Sequence, residues 1–215
     1  ESADVQFEQG AVGAGRGTVC YGLKGGIGSA SRQMEIDGTT YTLGVLVQSN
    51  YGAARDLRLS ELKTSGLLSE ILDRALDRAW DGVWDQDLSL PMDVKPGDTG
   101  SIILIVATDL PLSARQLRRV IKRTSVGMAR LGSFIGHGSG EVMVGFTTAR
   151  PQPISAHVFA QPILDEAQLN LPFRAAGLAA EEAILLSMLH ARSDVTLEGK
   201  KILSLRDCLQ KTEKA

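Results

Sequence analysis

The chain has 215 residues, with 23 basic against 25 acidic side chains and a formal net charge of −2. That length fits one domain able to bury a sizeable core, and the near-neutral charge leaves no electrostatic footprint for nucleic acid. No apolar run is long enough to span a bilayer, so neither a nucleic acid nor a membrane is expected as a partner. The two cysteines, Cys20 and Cys208, lie near opposite ends and make neither a disulfide framework nor a metal-ligand cluster. The chain opens at Glu1 without a methionine, so a trimmed or processed beginning is expected.

Residues 10–17 form a glycine-rich loop, residues 18–23 read as a short strand, and residues 24–32 as a tight, flexible connection. Two glycine clusters invite a phosphate-loop reading. The Gly-Lys-Ser/Thr ending is missing, however, and no strand precedes a glycine fingerprint that opens a helix. Residues 41–47 are rich in β-formers and end at a polar turn, 48–52, which sets Asn50 at a strand end. Asn50 reads either as a plain turn residue or as an amide donor aimed into a site.

The spacing of Leu62, Ile71, Leu72, Ala75, Leu76 and Ala79 predicts a helix over 59–84, followed by a Pro/Gly/Asp-rich loop over 86–99. Residues 100–107 are continuously apolar, as in a strand covered on both faces. After Pro111, the positions Leu117, Val120, Ile121, Thr124, Met128 and Leu131 predict one long helix. Arg115, Arg118, Arg119, Lys122 and Arg123 form its solvated basic face.

The stretch Gly136-His137-Gly138-Ser139-Gly140-Glu141 leads directly into the apolar β-type run 142–149. Read plainly, it is a glycine-rich turn before a strand. Glycines on both sides of Ser139 also remove Cβ bulk, which suits a serine whose own upstream peptide bond is to be bent and attacked. Beyond a Pro-containing loop and residues 154–159, a helix begins at Pro172-Phe173. Its apolar stripe is Phe173, Ala176, Gly177, Ala180, Ile184 and Met188. Glu181 points toward that stripe and Glu182 lies one step round the helix. A carboxylate facing an apolar layer is costly unless paired or functional; the plain alternative is a helix-edge glutamate that reaches solvent. Residues 200–215 make a short helix and a charged end. Strands that need helical cover predict an α/β fold with two stacked sheets between helices, without internal repeat or linker.

Five motifs then occur together in order: residues 17–32, residues 44–52, residues 105–112, His137-Gly138-Ser139-Gly140-Glu141, and Ala180-Glu181-Glu182-Ala183-Ile184. The set resembles the self-processing L-aminopeptidase/D-esterase family, which includes the β-peptidyl aminopeptidases. The resemblance implies a four-layer αββα sandwich like the N-terminal-nucleophile hydrolases but with different connectivity. It implies one domain over 1–215, cut so that 1–138 belongs to an α chain and 139–215 forms the β chain. Ser139 is the implied nucleophile, Gly138–Ser139 the self-cleavage bond, Asn50 the oxyanion amide and Glu181 the orienting carboxylate. No cofactor and no metal are implied. The substrates would be short peptides, amides or esters, and the assembly a homotetramer.

Three departures accompany the resemblance. Ala179 stands where the family carries a serine two residues before the glutamate. The family's N-terminal segment, with its amino-group-binding glutamate, is not expected among these residues. Residues 59–98 look like an insertion, with Trp80 and Trp84 offering surface for assembly. The alternatives are a related acyltransferase, like the ornithine acetyltransferases, or a catalytically degenerate assembly protein. His137 is a weaker candidate base, because it lies on the leaving segment.

Overall fold

The computed structural model describes residues 6–59, 100–149, 161–195, 199 and 201–211. The expected helix over 59–84 with Trp80 and Trp84, the loop over 86–99 and the segment 154–159 fall, but for residue 59, outside the described residues.

A four-stranded sheet organises the chain in the order β3 (Ile27–Ile36), β4 (Thr39–Asn50), β5 (Ser101–Thr108), β6 (Gly140–Thr147). β3 and β4 pair antiparallel around Asp37-Gly38, both at positive φ, as a two-residue hairpin of primed type requires. β4 and β5 are antiparallel; β5 and β6 are parallel. A parallel pair needs a crossover, supplied here by α1 (Ala114–Ile121) and α2 (Thr124–Arg130). The single helix expected after Pro111 is therefore two. The break follows from local bonds: Arg123 N–H donates to Val120 O at 2.9 Å, and Thr124 Oγ1 to Ile121 O at 2.7 Å. Such i→i+3 and side-chain bonds tighten the backbone and interrupt the α-helical ladder.

The segment 24–32 is not a flexible connection. Most of it is the start of β3, disguised by small residues. Helix α3 (Asn170–Leu189) lies so close that a Cβ on Gly28 would sit 2.0 Å from Ala183 O and 2.5 Å from Ser187 N. Only small residues permit that contact. Gly28→Ala is expected to push the helix off the sheet and destabilise the fold by about 3 kcal/mol, a fall in Tm of roughly 6–12 °C, measurable by calorimetry. The residues 18–23 resolve into a small hairpin, β1 (Val19–Cys20) and β2 (Leu23–Lys24), turned by Tyr21 and Gly22 at positive φ. The Lys24 ammonium is buried among backbone carbonyls, donating to Thr18 O at 2.9 Å and Gly15 O at 3.3 Å. The glycine-rich loop thus wraps a lysine of its own chain.

One face of the sheet, carrying Leu43, Val45, Val47, Ile102, Leu104 and Val106, is buried under α1, α2 and α3. Along β5 the burial alternates, as in a strand covered on one side. The expectation of cover on both faces is not met among the described residues. Ile103 is 39% exposed, and Val142, Val144 and Phe146 about half exposed, on the opposite face. The described residues thus supply one sheet and one helical layer, with an apolar sheet face of the kind that a stacked second sheet buries. Among them, no helix is long and apolar enough to cross a membrane. A small hairpin, β7 (Asp194–Val195) with β8 (Lys201–Ile202), and α4 (Leu205–Lys211) close the described chain.

Candidate active site

Ser139 stands one residue before β6, at the sheet end where β4 finishes and β5 begins. Its N–H donates to Gly136 O at 3.0 Å, closing a turn over His137 and Gly138, and Gly140 N–H donates to Gly100 O at 3.3 Å. His137 and Gly138 are exposed. Four residues upstream, Ile135 adopts φ 55°, a left-handed conformation unfavourable for a β-branched residue. The peptide bond before Ser139 therefore lies in a tight exposed turn behind a strained residue, while the serine Oγ is buried and has no hydrogen-bond partner.

Two further buried side-chain oxygens share that condition among the described residues: Glu141 Oε1 and Glu181 Oε1. A buried polar oxygen without a partner is costly to the fold, and its position calls for a physical reason. Glu181 sits on α3, 3% exposed, where the apolar stripe predicted it to point inward. Gly127 of α2 makes the close helix approach possible, since a Cβ there would lie 2.4 Å from Gly177 O and 2.6 Å from Glu181 N. The same approach brings Arg130 Nε to 3.1 Å from Glu181 Oε2. Burial pushes the Glu181 carboxyl above its usual range; Arg130 and then Arg32 pull it back, and Glu182 pushes it up. Glu182 itself pairs with Arg32 at 2.6 Å, half-buried, as a structural ion pair between α3 and β3. Ala179 is fully buried in the core.

Asn50 reaches the same end of the sheet. The register runs Asn50↔Ser101 and Ser101↔Gly140, which separates Asn50 from the serine strand by two strand spacings, about 10 Å. Its Oδ1 accepts from Val19 N–H at 3.0 Å. Strand alternation turns Asn50 to the open face, together with Gln48 and Ile103, whereas Ser49, Ile102 and Glu141 belong to the helix-covered face. The structure brings Ser139 and Glu141 to one sheet corner, with Glu141 on the covered face, places Arg130 at the helix end from which the serine turn departs, and sets Asn50 two strands away at the same sheet end. Sequence reasoning assigned no role to Arg130 or Glu141. The signal for Glu141 is its position two residues after Ser139, at the start of the β-type run. For Arg130 there was little beyond a cation adjoining the apolar Met128 and Leu131. Among the described residues no group of three His, Cys, Asp or Glu side chains is arranged to hold a metal.

The sequence model of Peptidase family S58 matches residues 1–202. The chain is 37% identical over 199 residues to the beta-peptidyl aminopeptidase BapA of Sphingosinicella microcystinivorans, covering 92% of this chain and 49% of that protein. It is 32% identical over 200 residues to the enzyme of the same name from Sphingosinicella xenopeptidilytica, covering 92% and 48%. The chain thus spans about half the length of the curated relatives it matches. Among solved structures, a protein from Pyrococcus horikoshii superposes with a TM-score of 0.74 at 37% identity, over 96% of this chain and 52% of that one. The L-aminopeptidase D-Ala-esterase/amidase of Ochrobactrum anthropi, described as a variant of the Ntn hydrolase fold, gives 0.70 at 26% identity, over 97% and 53%. A beta-aminopeptidase from a Burkholderia species gives 0.68 at 27%, over 97% and 54%. In sequence and in its α/β fold, a relative of the Ntn hydrolases, this chain belongs to peptidase family S58.

Proposed function

We propose that this chain forms part of a self-processing serine aminopeptidase in which Ser139 is first the agent of cleavage and then the nucleophile. The observation that carries the reading is the buried, unpartnered Ser139 Oγ, placed beside an exposed glycine-flanked peptide bond at the head of β6. In cleavage, Oγ attacks the Gly138 carbonyl carbon, the C–N bond to Ser139 breaks and the nitrogen takes up a proton. Water then hydrolyses the resulting ester to a Gly138 carboxylate and a free hydroxyl. The new α-amino group, with an unperturbed pKa near 8, is a suitable base for the otherwise weak serine nucleophile. The same hydroxyl then attacks the carbonyl carbon of a substrate's N-terminal residue; the scissile C–N or C–O bond breaks, the amine or alcohol leaves with a proton, and water hydrolyses the acyl-enzyme to the free amino acid and the serine hydroxyl.

Glu181, fixed by Arg130 and carrying one uncommitted oxygen, orients the proton-carrying group. Asn50 is the amide assigned to the oxyanion. That role rests on the resemblance: the oxyanion forms on the carbon bonded to Ser139 Oγ, so the Asn50 NH2, with Oδ1 held by Val19, has to reach it across Ser101, the two side chains closing a strand separation of about 10 Å. The relatives' names point to N-terminal residues of short peptides, amides or esters, β-amino acids included, and the family resemblance to a homotetramer.

The test is to assay the purified protein on α- and β-aminoacyl p-nitroanilides. Release of free amino acid without any acyl acceptor is expected. Turnover only when an acceptor amine is added would make it a transferase. A folded, processed sample inert on the whole series would leave an assembly protein.

A further inference from the structure

We infer that Glu141 is a positioning residue that receives the ammonium group created at Ser139 when the chain cuts itself. The inference rests on the self-processing reading above and adds to it a partner for the new terminus. Before cleavage the Ser139 nitrogen carries one hydrogen, already donated to Gly136 O at 3.0 Å. That acceptor belongs to the segment on the other side of the broken bond. Cleavage turns one N–H into a group with three donors, and these need acceptors next to the buried Ser139 Oγ.

Glu141 lies two residues on, on the strand face that also bears Met143 and faces the helices. Its Oε1 is buried with no hydrogen-bond partner. An unpartnered carboxylate oxygen is destabilising in the uncut chain, and the new ammonium relieves it through a charge-assisted bond. No other ionisable group on the neighbouring strand competes, because β5 carries none. α1 presents Arg115 and Arg119, both paired with Glu166, and Arg118. α2 presents Arg130, paired with Glu181; α3 presents Glu181 and Glu182; β3 presents Arg32, paired with Glu182. Asp56 and Arg58 adjoin Gly132 in the approach to the serine turn, and His137 stands exposed within it.

A carboxylate held against the amine favours its charged form and delays its action as a base to higher pH. The experiment compares processed wild type with Glu141→Gln. The amine is titrated by its reactivity with trinitrobenzenesulfonate, read by mass spectrometry on the peptide that begins at Ser139 in each protein, alongside the pH profile of kcat/KM. The expected result is a fall of about one unit in the apparent pKa of the amine, a tenfold rise in free amine well below it, and a matching shift of the acid limb. Equal amine titration in both proteins overturns the inference. So does a Glu141→Gln chain that folds but stays uncut, since Glu141 would then act before any amine exists. A wild type with no Ser139 terminus removes the self-processing reading itself, and is told apart from the other outcomes by N-terminal sequencing alone.

Discussion

Ser139→Ala is expected to give a single uncut chain, with aminopeptidase turnover lowered by about 10⁴–10⁶-fold. Removal of Oγ deletes both the attacking atom for the Gly138 carbonyl and the atom that would carry the acyl group. It does not remove a structural hydrogen bond, because Oγ makes none. Stability should therefore hold, or rise slightly, as an unsatisfied buried hydroxyl disappears. That combination separates a nucleophile from a structural serine. A turn-stabilising serine would lose stability on truncation and leave the peptide bond indifferent. Intact-mass spectrometry and N-terminal sequencing provide the check. Wild type should show a terminus beginning Ser-Gly-Glu, and the variant none. Ser139→Thr keeps a hydroxyl at the same atom and should still cleave, more slowly. A Ser139→Ala protein that is cut at Gly138–Ser139, or that turns over aminoacyl p-nitroanilides at the wild-type rate, would sink the proposal.

Where the sequence was legible, one physical signal dominated. The stripe on residues 173–188 and the apolar runs at 41–47 and 142–149 correspond to α3, β4 and β6, and periodicity alone points Glu181 inward. Where it misled, a tertiary contact had replaced the local signal. Gly28 makes the start of β3 look like a flexible connection because α3 leaves no room there for a larger side chain. Tyr21 looks like strand interior yet turns a hairpin at φ 51°. The break between α1 and α2 left no proline or glycine as a marker; Thr124 makes it by bonding back to Ile121. The site divides the same way. Ser139 announces itself through flanking glycines, but Arg130 becomes part of the site only through the α2–α3 approach at Gly127, a contact between segments about fifty residues apart.

The second large effect concerns Glu181. Its folded-state pKa lies above its ordinary value, with burial as the main cause. For such a group, the stability contribution is fully present below the unfolded-state pKa, about 4.3, and is lost as pH rises through the folded-state pKa. At neutral pH an ionised Glu181 is therefore a cost to the fold, only partly offset by Arg130, whose own side chain is 41% exposed and screened by solvent. Retaining a carboxylate there makes sense if its charge or its free Oε1 serves the reaction. Glu181→Gln preserves shape and removes the charge. Expected are a drop in kcat of about 10²-fold, a shift of the limb that rises with pH toward lower pH because the Ser139 amine loses an anion that raises its pKa, and a Tm that falls less than that of wild type as pH rises from about 4 toward about 8. Arg130→Gln should act through the same carboxylate: it removes the cation that favours ionisation, lowers kcat at neutral pH and recovers part of it at higher pH. The measurements are kcat, KM and Tm across pH on fully processed proteins. Wild-type kcat in Glu181→Gln, or a stability loss equal at both ends of that pH range, would reduce Glu181 to a buried structural acid held by Arg130.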